Sequence, residues 1–122
     1  MGKQPTVLIV EDEYLTARSL KLDLEDLGAT PLDPVSRGED AVDVALKANP
    51  DLILMDIQLA GGLDGIEAAE RILKKKRIPI AFMTGYGTET FRERARKVRP
   101  VEFLDKPVNL NAVRHIIRSL AQ

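Results

Sequence analysis

Hydrophobic residues follow two patterns that alternate along this chain. Five short aliphatic runs recur, at residues 6–10, 30–35, 52–55, 78–83 and 101–104. Between and after them, apolar residues repeat at spacings of three and four, as Ala17, Leu20, Leu24 and Leu27 do. The first pattern is typical of strands and the second of amphipathic helices. Five strands alternating with five helices predict an α/β domain with a parallel sheet and helices on both faces.

The flanking residues predict where several helices begin and end. Gly28 supplies a stop for the first helix. Ser36, followed three residues later by Glu39, matches a capping box and predicts the start of the second helix. The fourth helix is predicted to open at Thr88 or Thr90, and the last at about Asn109.

Two prolines constrain the order of the strands. Pro31 and Pro34 each remove a backbone donor from the second run, and proline is tolerated mainly in edge strands. Right-handed crossovers with the second strand at an edge favour a flavodoxin-like, doubly wound (βα)5 sheet in the order 2-1-3-4-5.

Length and composition predict a single domain in a reducing compartment. A chain of 122 residues is long enough for one core, so we expect one domain over residues 1–122 and no output domain. No apolar run reaches membrane-spanning length, and there is no signal-peptide pattern. The absence of cysteine excludes disulfide and thiol chemistry. We therefore expect a cytoplasmic protein.

Charge is distributed unevenly along the sequence. Residues 1–56 hold 5 Lys and Arg against 12 Asp and Glu, whereas residues 87–122 hold 8 against 4. The acidic half suggests a bound cation, and the basic end suggests an acidic partner surface. Nucleic acid is not expected as a partner, because only Phe91 interleaves the basic stretch with an aromatic ring.

Four strands end on residues suited to phosphoryl chemistry. Asp56 follows the uninterrupted apolar run at residues 52–55, which predicts a buried third strand. Glu11 and Asp12 follow the first strand, which is next to the third in the predicted order. Three clustered carboxylates need raised pKa values or a divalent cation, and Mg²⁺ prefers such oxygen ligands. Thr84 adds a hydroxyl and Lys106 an ammonium at the same edge. Together they form a nucleophile, a metal site, a donor and a fixed cation for phosphoryl transfer.

Competing functions make different demands on the sequence. A phosphatase with an aspartate nucleophile needs a second acid near it and usually a cap, but Gln58 and the short chain supply neither. A flavin site needs a hydroxyl-rich phosphate loop where Glu11 and Asp12 stand. A module that binds partners without phosphorylation stays open, and only phosphoryl uptake excludes it.

Four motifs in order resemble the receiver domain of bacterial two-component response regulators. They are Val7-Leu-Ile-Val-Glu-Asp-Glu13, Leu54-Met-Asp-Ile-Gln-Leu59, Met83-Thr-Gly85 and Phe103-Leu-Asp-Lys-Pro107. The resemblance covers nearly the whole chain. It implies a signalling switch rather than a turnover enzyme, with Asp56 accepting a phosphoryl group from a sensor histidine kinase or a histidine phosphotransferase.

The resemblance also implies roles for the surrounding residues. Glu11 and Asp12 would bind Mg²⁺ together with Asp56, and the main-chain carbonyl of Gln58 would complete the protein ligands. Thr84 would be the switch hydroxyl and Lys106 its ion-pair partner at the phosphoryl group.

The segment around Thr84 resembles a subgroup of single-domain receivers with a Phe-x-Thr-Gly-Tyr signature, known from alphaproteobacteria. Phe103 occupies the position of the family's switch aromatic residue, and Tyr86 near Thr84 is unusual. The resemblance therefore leaves two candidates, Phe103 and Tyr86, for the aromatic residue that moves on phosphorylation. A core role for Phe103, packed by the last helix, is the alternative.

Output is predicted to be a change in protein binding. Arg92, Arg94, Arg96 and Arg99 would form a partner surface for an unknown downstream protein, or for a homodimer through the fourth helix, fifth strand and last helix. A solvated helix is the plain alternative for this stretch. A role as phosphoryl sink for another regulator also remains.

Overall fold

The computed structural model describes residues 4–85 and 89–120 of the chain. Five parallel strands form one sheet in the order β2-β1-β3-β4-β5, as predicted. The strands are β1 (Thr6–Val10), β2 (Thr30–Pro31), β3 (Leu52–Asp56), β4 (Ile80–Thr84) and β5 (Glu102–Asp105). Because all five run in one direction, their carboxyl ends meet at one edge of the sheet.

The edge strand β2 is shorter than predicted. Regular pairing with β1 covers only Thr30 and Pro31, and Val35 adds one isolated bridge to Val10. The prediction of a strand over residues 30–35 was therefore wrong in extent, although right about the edge. Pro31 and Pro34 lack the amide hydrogens that a longer ladder needs.

The helices lie between and after the strands in regular alternation. They are α1 (Tyr14–Asp26), α2 (Gly38–Ala48), α3 (Gly65–Lys75), α4 (Arg92–Lys97) and α5 (Leu110–Leu120). Gly28, which follows α1, has a φ of 86°, the left-handed conformation expected at a helix stop. None of the helices in the described ranges is long and apolar enough to cross a membrane.

The predicted start of α2 was wrong, and the start predicted for the fourth helix is tested at only one of its two positions. The residue before α2 is Arg37, and no side chain caps the helix, so Ser36 and Glu39 form no capping box. Thr90 lies inside a 3-10 turn (Glu89–Phe91) that precedes α4, and Thr88 lies outside the described residues. A capping box does occur at α3, where Asp64 and Glu67 each bond the other's backbone N–H.

The sheet separates two hydrophobic layers. Side chains from one face of β1, β3 and β4 pack with α2, α3 and α4, and those from the other face pack with α1 and α5. All residues of β3 and β4 are buried. The core thus holds the central strands rigidly and presents their carboxyl ends to solvent as a platform for polar residues.

Candidate functional site

Three carboxylates meet where β1 and β3 end. Val10 is paired with Met55, so the residues that follow each strand are neighbours. Glu11, Asp12 and Asp56 each offer an oxygen that lies within 4.8 Å of the other two. Glu11 and Asp56 are buried, whereas Asp12 is exposed. The structure therefore brings together the three acids that the sequence predicted at this edge.

Both carboxylate oxygens of Asp56 have partners. Oδ1 accepts a hydrogen bond of 3.0 Å from the backbone N–H of Gln58, and Oδ2 accepts one of 2.8 Å from Lys106 Nζ. Asp56 is only 4% exposed. The strand end and the Lys106 ammonium thus hold the carboxylate in one orientation.

Lys106 connects two of the acids. Its Nζ also lies 2.6 Å from Glu11 Oε1. Burial alone would lower the pKa of Lys106, but its contacts with Asp56 and Glu11 and the charges of both raise that pKa. Lys106 is therefore a fixed cation at neutral pH. The peptide bond that follows it, to Pro107, is cis.

The donor set fits a divalent cation. Glu11 Oε1 is buried, and the neighbour that compensates its charge is the Lys106 ammonium, 2.6 Å away. A carboxylate oxygen has two lone pairs, so one stays available for a metal. Oxygen ligands from two or three carboxylates beside open water suit Mg²⁺.

Burial raises the pKa of Asp56 from 3.8 to about 6, and the negative charge of Glu11 adds to the rise, while Lys106 opposes it. The protonated carboxyl is therefore favoured in the metal-free folded state below pH about 6. In the unfolded chain the same group ionises near its ordinary value. Raising the pH across this window must then weaken the folded state.

This pKa predicts a pH-dependent effect of Asp56→Asn on stability. Between pH 5 and 7.5, with a chelator present, ionisation of Asp56 should lower the free energy of unfolding of the wild type by roughly 1 kcal/mol. The variant lacks that titration, so its stability relative to wild type should increase by about this amount over the same window. Urea unfolding at both pH values measures the difference. A constant difference would contradict a raised pKa.

The acids line an open cleft of about 650 Å³ at the sheet edge. Its described lining consists of Glu11, Asp12, Glu13, Asp56, Gln58, Leu59, Ala60, Gly85 and Lys106. Asp12 Oδ2 accepts a hydrogen bond of 3.0 Å from the N–H of Ala60. The loop after β3 is therefore tied to the acidic cluster.

Thr84 is buried at the end of β4 and is not among the described residues that line this cleft. Its hydroxyl donates to Asp105 Oδ1 at 3.0 Å and lies 3.4 Å from the carbonyl oxygen of Leu104. Sequence reasoning missed Asp105. The pairing of Thr84 with Asp105 across β4 and β5 is a matter of strand register, which the pattern of residues does not reveal.

Phe103 packs on the α4 side of the sheet. It is half-buried, its ring stacks on Phe82 with centroids 6.1 Å apart, and Cζ of Arg92 lies over the ring, 4.8 Å from its centroid. The alternative that the last helix packs this ring was wrong, because Phe103 belongs to the layer with Ala95 and not to the α5 layer. Tyr86 lies outside the described residues.

Three of the four arginines predicted as a partner surface have acidic neighbours within the chain. Arg92 lies 3.7 Å from Asp105, Arg94 lies 3.3 Å from Asp64, and Arg96 lies 3.3 Å from Glu93. Their side chains remain one-third to two-thirds exposed. Arg99 follows α4 with a φ of 59°. These arginines stay accessible, and Arg94 ties α4 to the capping residue of α3.

Comparison with protein families gives one match over most of the chain. The family model described as the response regulator receiver domain matches residues 7–118. Among curated proteins, the transcriptional regulatory protein PdtaR of Mycobacterium tuberculosis is 34% identical over 105 residues, covering 86% of this chain and 51% of the relative. The phyllosphere-induced regulator PhyR of Methylorubrum extorquens is 40% identical over 81 residues, covering 66% and 30%. The chain thus spans about half or less of these relatives.

Solved structures show the same fold. The signal receiver domain of a modulated diguanylate cyclase from Desulfovibrio desulfuricans G20 is 39% identical with a TM-score of 0.89, over 96% of this chain and 93% of that one. The receiver domain of the sensor histidine kinase PA1611 from Pseudomonas aeruginosa is 28% identical with a TM-score of 0.86, over 98% and 99%. That structure has a magnesium ion coordinated in its active site cleft.

Proposed function

Because this chain belongs to the response regulator receiver domain family of two-component signalling, we propose that it is a phosphorylation-dependent switch with Asp56 as its phosphoacceptor. The observation that supports this most is the carboxylate of Asp56, held by Lys106 beside two further acids in an open cleft. Phosphorylation-based switching is general in the family, and the choice of Asp56 follows from its place at the end of β3.

Mg²⁺ is the proposed cofactor. Glu11, Asp12 and Asp56 would hold it, and the carbonyl of Gln58 is proposed as a further ligand because that residue lines the same cleft. Bound Mg²⁺ supplies charge neutralisation for the oxygens of a phosphoryl group. The residues fit because they combine hard oxygen donors, a negative charge and space for water.

The proposed reaction is a direct phosphoryl transfer. An oxygen of Asp56 forms a bond to phosphorus as the bond from phosphorus to the donor's histidine nitrogen breaks. The electron pair stays on that nitrogen, which takes up a proton. Lys106 is placed to stabilise the charge of the phosphoryl oxygens, because its Nζ already lies 2.8 Å from Asp56 Oδ2. Water attack on the resulting acyl phosphate would reset the protein, which makes it a switch and not a turnover enzyme.

Thr84 is proposed as the hydroxyl that responds to the phosphoryl group. Thr84 lies at the end of β4, the strand next to β3. Its carbonyl oxygen accepts a hydrogen bond of 2.8 Å from the backbone N–H of Lys106. Phe103 or Tyr86 would carry the change outward.

Members of the family receive phosphoryl groups from histidine kinases or histidine phosphotransferases, and we propose such a donor here. Arg92, Arg94, Arg96 and Arg99, beside β5 and α5, are the proposed surface for a downstream protein or a homodimer. A cytoplasmic location and a function without nucleic acid complete the proposal.

Intact-mass spectrometry tests phosphoryl uptake. The protein is incubated with acetyl phosphate or phosphoramidate, with and without Mg²⁺. We expect one added phosphoryl group in the wild type with Mg²⁺, and none in Asp56→Asn. Asp43→Asn, which removes an exposed acid on α2, is the matched control and should be modified like the wild type.

Two results would contradict the proposal. One is an adduct that persists in Asp56→Asn. The other is the absence of any adduct from these donors and from a phosphorylated histidine phosphotransferase, which would favour a module that binds partners without phosphorylation.

A further inference from the structure

The hydroxyl of Thr84 already has an acceptor in this structure. It donates to Asp105 Oδ1 at 3.0 Å, and Thr84 and Asp105 are register partners in adjacent strands. Side chains of register partners lie on the same face of the sheet, so the contact follows from the pairing of β4 with β5.

A threonine hydroxyl has a single proton to donate. Thr84 therefore cannot keep its full bond to Asp105 and also donate to an oxygen bound at Asp56. Any state in which Thr84 turns toward Asp56 must first give up Asp105.

Asp105 is itself restrained. Its side chain is 89% exposed, and an exposed carboxylate on its own would sample several rotamers. The guanidinium of Arg92 lies 3.7 Å from the same Oδ1 and rests against the ring of Phe103. The contact with Arg92 thus links the acceptor of Thr84 to α4.

We infer that Asp105 is a positioning residue that holds the Thr84 hydroxyl away from Asp56, and that this hold opposes the phosphorylated state. The effect on the phosphorylated state rests on the proposed function. The hydrogen bond between Thr84 and Asp105 is present in the free protein. Because Asp105 is exposed to water, its hydrogen bond with Thr84 should contribute a free energy at the low end of the range for protein hydrogen bonds.

The first test measures affinity for beryllofluoride, an analogue of the phosphoryl group on aspartate, by calorimetry with Mg²⁺. Asp105→Ala removes the acceptor and should tighten binding by about 2- to 5-fold. Asp105→Asn retains an Oδ1 acceptor without the charge and should stay close to wild type. Glu102→Ala, an exposed acid on the same strand, should have no effect.

The second test needs no ligand. Three-bond couplings of the Thr84 side chain, measured by NMR in the free protein, report its χ1 rotamer. We expect one rotamer in the wild type and Asp105→Asn, and averaging in Asp105→Ala. A single unchanged rotamer in Asp105→Ala would overturn the inference, as would equal tightening by Ala and Asn. Failure of the wild type to bind beryllofluoride, with averaging still seen in Asp105→Ala, would instead remove the proposed function.

Discussion

Replacing Asp12 with asparagine is expected to weaken Mg²⁺ binding at least about 10-fold. The loss of a group that only orients a metal ligand commonly costs about 10- to 100-fold, and the loss of a charged ligand should cost no less. The change leaves the fold intact, because Asp12 is exposed and lies after β1, and asparagine can still accept the hydrogen bond from Ala60. Titration with Mg²⁺, followed by the amide NMR shifts of Gln58 and Ala60, gives the dissociation constant.

Glu13→Gln is the matched control for this experiment. Glu13 lines the same cleft and carries the same charge, but it is outside the group of three acids whose oxygens converge. Removing its exposed charge should weaken binding by less than about 3-fold, since salt screens such charges. Equal losses in the two variants would mean that the cleft attracts Mg²⁺ only by its overall negative field, and would count against coordination by Asp12.

Gly65→Ala is expected to destabilise the protein by about 3 kcal/mol. A Cβ at this position would lie 1.9 Å from the carbonyl oxygen of Asp56 and 3.0 Å from Cα of Ile57. Both contacts are with backbone at the end of a buried strand, so neither neighbour can turn aside. Alanine favours a helix over glycine by about 1 kcal/mol, which is too little to offset the overlap. Urea unfolding should show a lower midpoint with an unchanged slope.

The same overlap should impair the site. Relief of the clash requires α3 or the end of β3 to shift, and Asp56 lies at that point. Gly62→Ala provides the contrast, because its Cβ would meet the carboxylate of Glu39, the far end of a flexible and half-exposed side chain. We expect Gly62→Ala to cost less than about 1 kcal/mol. Wild-type stability of Gly65→Ala would show that α3 is free to move away from the strand.

Local patterns were sufficient for the order of elements. The aliphatic runs predicted β1, β3 and β4 within two residues, because a strand buried on both faces has no polar positions inside its limits. The run at residues 30–35 overstated the edge strand β2. The prolines at positions 31 and 34 identified the edge strand correctly. Since parallel strands end at one edge, the residues after them could also be brought together in advance, and Glu11, Asp12 and Asp56 do meet.

Short sequence motifs predicted the starts of helices less well than they predicted the strands. Ser36 with Glu39 and Asp64 with Glu67 match the same capping pattern, yet only the second pair forms a capping box. At α2 the backbone of Gly38 packs closely against Leu63 in the loop after β3, where a Cβ would lie 2.7 Å from its carbonyl oxygen. The first residue of α2 thus contacts a residue 25 positions away in the chain, and no short motif reports such a contact.

The sequence by itself determined the fold class, the order of the sheet and the identity of the acids at its edge, because periodicity and the residues after each strand are local properties. Tertiary structure alone decided where their side chains go. Thr84 bonds Asp105 because β4 and β5 pair in one register, and Lys106 reaches both Glu11 and Asp56 because three strands end together. Such contacts join groups far apart along the chain. A shift of about an ångström in atomic position makes or breaks a hydrogen bond, and a residue pattern does not contain positions at that precision.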